Sequence, residues 1–251
     1  MRADAPFYQV NEYAPDPDVT LDPSVARTYV RYAQMLAQRG YVQSTLGGMV
    51  IRVGHPKFAD GLAYAKPAGV SLEEMDVDDV VITDIAHGRV LYGKAATSVG
   101  HQMNREILRL RPDVNCVIHL HHDETIALMA AGCAEIRSFS LTFSYLMQKP
   151  LAYLPAHLNV EEDVTPIKTF IQGTNCIVMK RHGITVLGRT VSECYHRVNV
   201  YASEVKRQIL VELLCAARGS SPEYITREEM EWMFARGDGV VYPQLLRRER
   251  G

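Results

Sequence analysis

Apolar positions along the chain alternate between two periods. From Asp22 onward the spacing is helical. Ala26, Tyr29, Val30, Ala33, Leu36 and Ala37 share one face at intervals of three and four. Asp22-Pro23 opens this helix, with Asp as cap and Pro in the first turn, and Gly40 stops it. Residues 1–21 read as an irregular lead-in, ahead of a single domain over 22–251 that ends in a helical tail.

Short apolar runs then read as strands at 49–53, 80–83 and 90–92, the last two joined by a turn containing Gly88. A helix over 101–110 turns Met103, Ile107 and Leu110 inward. A strand over 116–119 and a helix over 123–131 follow. A strand at 151–153, a helix around 164–171 and strands at 176–179 and 184–187 come next. Thr190 and Glu193 have capping-box spacing and open a long amphipathic helix through Val198, Tyr201, Val205, Ile209 and Leu213. Thr226 and Glu229 repeat the signature before a last helix through Met230, Trp232 and Met233. The elements mingle without a regular βαβ period and without G-x-G-x-x-G. That pattern predicts an α/β fold in which helices flank a mostly antiparallel sheet.

Composition narrows the partners. The chain has 251 residues, enough for a substantial core, and a formal net charge of -2, which offers nothing to nucleic acid or an anionic membrane. No apolar run approaches the ~20 residues that span a bilayer, and the first residues lack an apolar signal core. Cys116, Cys133, Cys176, Cys194 and Cys215 are odd in number and lack C-x-x-C spacing. They read as free thiols in a reducing cytoplasm.

The chemistry concentrates at His119-Leu120-His121 and Arg181-His182-Gly183. Histidines two apart on a strand point to one face. His182 ends a second apolar strand and is the natural third ligand. Three neutral nitrogens with an open fourth position make a catalytic rather than a structural metal site. Ordinary half-buried histidines fit the same spacing.

Four blocks extend the reading. LRLRPDVNCVIHLHHDETIAL, IVMKRHGITVLGRTVSECYHRVNVYASEV, GYVQSTLGGMVIRV and AKPAGVSLEEMDVDDVVITDIAHGRVL resemble the class II aldolase/adducin family and occur in its order over about residues 25–210. The resemblance implies a three-layer αβα fold and a cyclic homotetramer with active sites between subunits. It implies one divalent metal per subunit on His119, His121 and His182, usually zinc, with iron or manganese as alternatives. It also implies a small-molecule substrate and Lewis-acid catalysis of carbon–carbon bond cleavage.

The departures from the family pattern bear on the substrate. The position of the aldolases' catalytic Glu falls on Gly100. His101 is the nearest titratable substitute, or else simply a helix-start histidine. The family uses a tyrosine from a neighbouring subunit as an acid; no Tyr aligns cleanly here, and Tyr145 is the nearest, or else is a packed aromatic. The phosphate cradle is eroded: Gly48 replaces an Asn, Val50 a Ser and Ala68 a loop hydroxyl, while Ser98 survives beside Val99. Arg52 is retained, Gly69 keeps the loop glycine, and Lys66 stands where a small polar residue is usual. A phosphate dianion needs several donors, so these losses favour a carboxylate substrate held by Lys66. The expectation is a metal-dependent lyase (aldolase or decarboxylase) acting on a non-phosphorylated carboxylate or keto acid. The alternatives are a non-haem Fe(II) oxygenase on the same fold and a non-catalytic adducin-head-like module.

Overall fold

The computed structural model describes residues 11–158 and 163–241. Part of the expected lead-in and the end of the expected tail lie outside them. Eight strands form one sheet: β1 (Gly48–His55), β2 (Phe58–Ala65), β3 (Val81–Asp84), β4 (Val90–Tyr92), β5 (Cys116–Leu120), β6 (Ala152–Leu154), β7 (Cys176–Met179) and β8 (Gly183–Gly188). Their order is β4-β3-β2-β1-β5-β8-β7-β6. All neighbours are antiparallel except β6 and β7.

Strand alternation divides the core in two. Met49 and Ile51 of β1 and Cys116, Ile118 and Leu120 of β5 face one side. There they meet α1 (Pro23–Gln38), α3 (Asp123–Ala130), α4 (Leu141–Met147) and α5 (Val191–Arg218). Val50 and Val117 face the other side, against Met103, Ile107 and Leu108 of α2 (His101–Leu110). The result is the three-layer αβα arrangement. Two further helices, α6 (Arg227–Phe234) and α7 (Gly237–Val241), pack on α4.

Local sequence explains the best-defined elements. Asp22 accepts from the Ser24 N–H, Pro23 occupies the first turn, and Tyr29, Ala33 and Leu36 are fully buried. Burying a side chain the size of Leu36 is worth about 2 kcal/mol. Gly40 follows with φ 75°, a conformation that ends the helix without strain. The Thr226–Glu229 capping box forms with both of its reciprocal bonds.

Several expectations are corrected. Strand β2 was not foreseen, because Gly61 interrupts its pattern. Gly61 has φ 84°, and a Cβ there would lie 2.7 Å from the Val53 carbonyl. The helix around 164–171 is instead two short 3-10 turns, Thr165–Thr169 and Ile171–Gly173, because Phe170 leaves helical geometry at φ -130°. Helix α4, capped by Ser140, is an element that the apolar spacing does not predict. Thr190 caps α5, but the buried Glu193 carboxylate bonds the Arg189 N–H and the guanidinium groups of Arg189 and Arg197. Leu108 rather than Leu110 is fully buried in α2, and Trp232 is 53% exposed beneath Arg236. The described part of the lead-in, 11–21, has no helix or extended strand, but it is held against the sheet edge: Tyr13 bridges Val90 of β4 in parallel, and Val19 is buried. No helix among the described residues is long and apolar enough to cross a membrane.

Candidate metal centre

His119 sits near the end of β5 on the α2 side of the sheet, since Ile118 and Leu120 face the other core. His121 lies just past the strand. His182 occupies the turn between β7 and β8, preceded by Arg181 at φ 65° and followed by Gly183 at φ 146°. This turn presses hard on β5: a Cβ at Gly183 would lie 2.1 Å from the Leu120 carbonyl oxygen. Gly47 makes a similar approach, with its Cβ position 2.7 Å from the His119 oxygen. Glycine therefore lets two segments close on the end of β5, and that closure gathers the histidines.

The three rings meet edge to face, with centroids 5.1 Å apart for His119–His121, 5.0 Å for His119–His182 and 4.7 Å for His121–His182. One nitrogen from each lies within 4.8 Å of the others. His119 Nδ1 is 3.0 Å from the Ile184 carbonyl oxygen and 3.1 Å from Thr185 Oγ1. The carbonyl can only accept, so the proton belongs on Nδ1, and Nε2 offers its lone pair. Burial, reinforced by His182 and His121, holds His119 well below the ordinary imidazole range. Burial and then His182 push His121 down to about 4, and burial lowers His182. At neutral pH all three are therefore neutral donors. His121 and His182 are half-exposed, leaving an open side. An all-imidazole set of this kind suits zinc or iron, so the residues fit a divalent metal.

An alcove lies beside the triad. Gly48 is the Cα partner of His119 across β1 and β5, and paired residues of an antiparallel ladder point to the same face. A Cβ at Gly48 would lie 3.9 Å from Lys66 Cε and 4.0 Å from Ser98 Oγ. These three expected substrate residues thus converge next to His119. Lys66 is 2% exposed, so it is not a solvated loop lysine. Its ammonium donates to the carbonyls of Thr45 and Val70 at 2.8 Å each, and more weakly to Pro67 at 3.4 Å. Burial pushes its pKa down to about 8. Gly69 turns the same loop at φ 78° with open space at its Cβ position.

Three expected site residues lie elsewhere. Arg52 donates to the carbonyls of Val114, Asp60, Arg111 and Leu108. Its guanidinium clamps β1 to the end of α2 and is taken up by main chain rather than substrate. His101 is 2% exposed, its Nε2 lies 2.8 Å from Thr83 Oγ1, and burial followed by the Arg105 charge pushes its pKa to about 3. It is a neutral core imidazole, without the acidic proton of an imidazolium at neutral pH, and its Nε2 is engaged with Thr83. Tyr145 lies on α4, against α5, α6 and α7, on the face of the sheet opposite the His119 of its own chain; the expectation for it concerned the site of a neighbouring subunit. His122 is the cap of α3: its Nδ1 accepts from the Thr125 N–H. Thr185 escaped sequence reasoning, because its place beside His119 depends on the β5–β8 register.

The fold and the histidine cluster define a class II aldolase-type chain. The sequence profile described as Class II Aldolase and Adducin N-terminal domain matches residues 27–209, and the chain belongs to this family. L-fuculose phosphate aldolase of Methanococcus vannielii is 26% identical over 198 residues, covering 74% of this chain and 96% of that protein. Beta-adducin of Rattus norvegicus is 27% identical over 169 residues, covering 65% of this chain but 23% of that protein. Among solved structures, YgbL from Escherichia coli superposes with a TM-score of 0.69 at 22% identity, over 84% of this chain and 98% of its own. An L-fuculose 1-phosphate aldolase gives 0.71 at 19% identity, over 88% and 99%. At these identities the two structures establish the shared fold.

Proposed function

We propose that the protein is a metal-dependent lyase that cleaves a carbon–carbon bond of a small carboxylate or keto acid lacking a phosphate. The observation that carries this reading is the convergence of His119, His121 and His182 beside the alcove of Gly48, Lys66 and Ser98. The three imidazoles would hold zinc, or alternatively iron or manganese. The bound ion would act as a Lewis acid on a carbonyl or hydroxyl oxygen of the substrate. Lys66 supplies a fixed positive charge at the alcove wall, and the Ser98 hydroxyl supplies a hydrogen bond. A carboxylate needs fewer donors than a phosphate dianion, and the alcove offers few.

Retro-aldol cleavage needs a base on the substrate hydroxyl, whereas decarboxylation needs an electron sink but no base. Gly100 has no side chain, and His101 is buried against Thr83 with its basicity lowered, so the usual base position offers none to a substrate. Decarboxylation is therefore the better served of the two. The all-imidazole donor set also favours one second reading, a non-haem Fe(II) oxygenase acting on an aryl or keto acid. As in the family's aldolases, we expect a homo-oligomer, a tetramer, with the open side of the triad near a subunit boundary. All five cysteines are free thiols, which supports a cytoplasmic location.

Metal analysis of anaerobically purified protein, beside His119→Ala and His182→Ala, tests the reading together with keto-acid turnover. Stoichiometric zinc or manganese lost in the variants, with CO2 or an aldehyde released without O2, supports the lyase. Stoichiometric iron and obligatory O2 uptake move the assignment to the oxygenase. Absence of metal from all three proteins leaves a non-catalytic, adducin-like module.

A further inference from the structure

We propose that Asn11, in the N-terminal strap, is the positioning residue for the Ser98 wall of the alcove; this rests on the reading of the alcove as the substrate subsite. The strap runs along the edge strand β4. Val90 N donates to the Glu12 carbonyl at 2.8 Å, Ala14 N to Val90 at 3.0 Å and Asp16 N to Leu91 at 3.2 Å. The Tyr13 hydroxyl donates to the Gly93 carbonyl at 2.8 Å. This ladder delivers the Asn11 amide to a fixed place. Its Oδ1 accepts from Thr97 N at 2.8 Å and from Thr97 Oγ1 at 2.9 Å, while its Nδ2 donates to the Gly88 carbonyl at 2.8 Å.

Thr97 is the key to both walls. It is fully buried, it precedes Ser98, and it forms a bridge to Pro67, the residue after Lys66. The adjacent Ala68 N–H donates to the Ala96 carbonyl at 2.8 Å. The intervening segment, Gly93-Lys94-Ala95-Ala96-Thr97-Ser98-Val99-Gly100, has no helix or extended strand and few large apolar side chains. Burial alone cannot set its position, so hydrogen bonds must. Asn11 makes two of them from a point 86 residues away in sequence. None of its bonds reaches β5 or β8, where the histidines stand. Asn11 therefore acts on the alcove through Thr97 and leaves the triad untouched.

The test is hydrogen exchange of the full-length protein, together with zinc stoichiometry and binding of oxalate to the zinc-loaded form, in wild type, Asn11→Ala and Asn11→Asp. In Asn11→Ala the amides of 97–100 should exchange about tenfold faster, the effect of losing a buried bonded pair. The amides of β5 and β8 and the zinc content should hold, and oxalate affinity should drop several-fold. Asn11→Asp keeps both acceptor contacts to Thr97 and should restore slow exchange. Unchanged exchange at 97–100 in Asn11→Ala overturns the proposal. So does acceleration spread evenly over β5 and β8, which marks general loss of stability, and so does a loosened loop with unchanged oxalate affinity. Should the wild type bind no zinc, the metal reading fails on its own, and the exchange pattern still decides whether Asn11 positions this loop.

Discussion

Gly48 and His119 stand opposite each other across β1 and β5, so a bare backbone faces the first histidine of the triad. Neighbouring Gly47 and Gly48 have opposite tolerances. A methyl at Gly48 meets only ordinary contacts, 3.9 Å to Lys66 Cε and 4.0 Å to Ser98 Oγ. Gly48→Ala is expected to fold with unchanged or slightly raised stability, since it removes unfolded-chain freedom worth about 0.5 kcal/mol. It should weaken oxalate binding by filling the alcove. Gly47→Ala forces a side chain into φ 74° and against the His119 carbonyl at 2.7 Å. It should cost about 2 kcal/mol and lower metal affinity as well. Urea unfolding and metal titration of the pair check this; equal behaviour of the two variants would contradict the geometry.

Thr185 should control how tightly the triad holds its ion. Its Oγ1 lies 3.1 Å from His119 Nδ1, beside the Ile184 carbonyl at 3.0 Å. Thr185→Val keeps the shape and the carbonyl contact but removes one polar neighbour from the ring. Loss of such a partner lowers metal affinity about tenfold. Zinc competition against a chromophoric chelator measures the change, and wild-type affinity would show that Ile184 alone fixes the ring.

Arg52 is expected to matter for stability and not for ligand binding. Of its four carbonyl partners, Asp60 lies on β2, Leu108 on α2, and Arg111 and Val114 in the segment leading into β5, so the guanidinium ties β1 to all three. Arg52→Met leaves these acceptors without their donor and should cost about 2 kcal/mol in urea unfolding. Oxalate affinity of the folded protein should stay within twofold of wild type. A selective loss of affinity with normal stability would return Arg52 to the substrate site.

Much of this layout was legible because it is local. The H-x-H spacing brought His119, on β5, and His121, just past its end, to one place, and the Asp22-Pro23 start and Gly40 stop bracketed α1. What escaped depends on pairing between distant segments. Nothing near Arg52 in sequence announces four carbonyls, and His101 looks exposed at a helix start until Thr83 of β3 is laid beside it. Lys66 illustrates the same limit from the other side. Its sequence neighbourhood says nothing of burial, yet the fold buries it beside Gly48.

His101 carries a pH signature that separates it from the triad. In the folded protein burial and the nearby Arg105 charge lower its pKa from 6.5 to about 3. Between these limits the unfolded chain binds a proton that the folded chain refuses. Stability must therefore fall as pH drops below 6.5, by up to about 1.4 kcal/mol per pH unit, with no contribution from this group at higher pH. His119, His121 and His182 are lowered as well and add to the same acid limb. A difference measurement removes them. His101→Gln retains a polar atom toward Thr83 but cannot titrate, and the triad is common to both proteins. Urea unfolding of the metal-free forms should give a constant stability difference between pH 7 and 8.5. Below pH 6 the wild type should lose stability faster than the variant. Parallel curves across pH 4–7 would mean that His101 is protonated in the folded state, and that its burial against Thr83 does not exclude the charge.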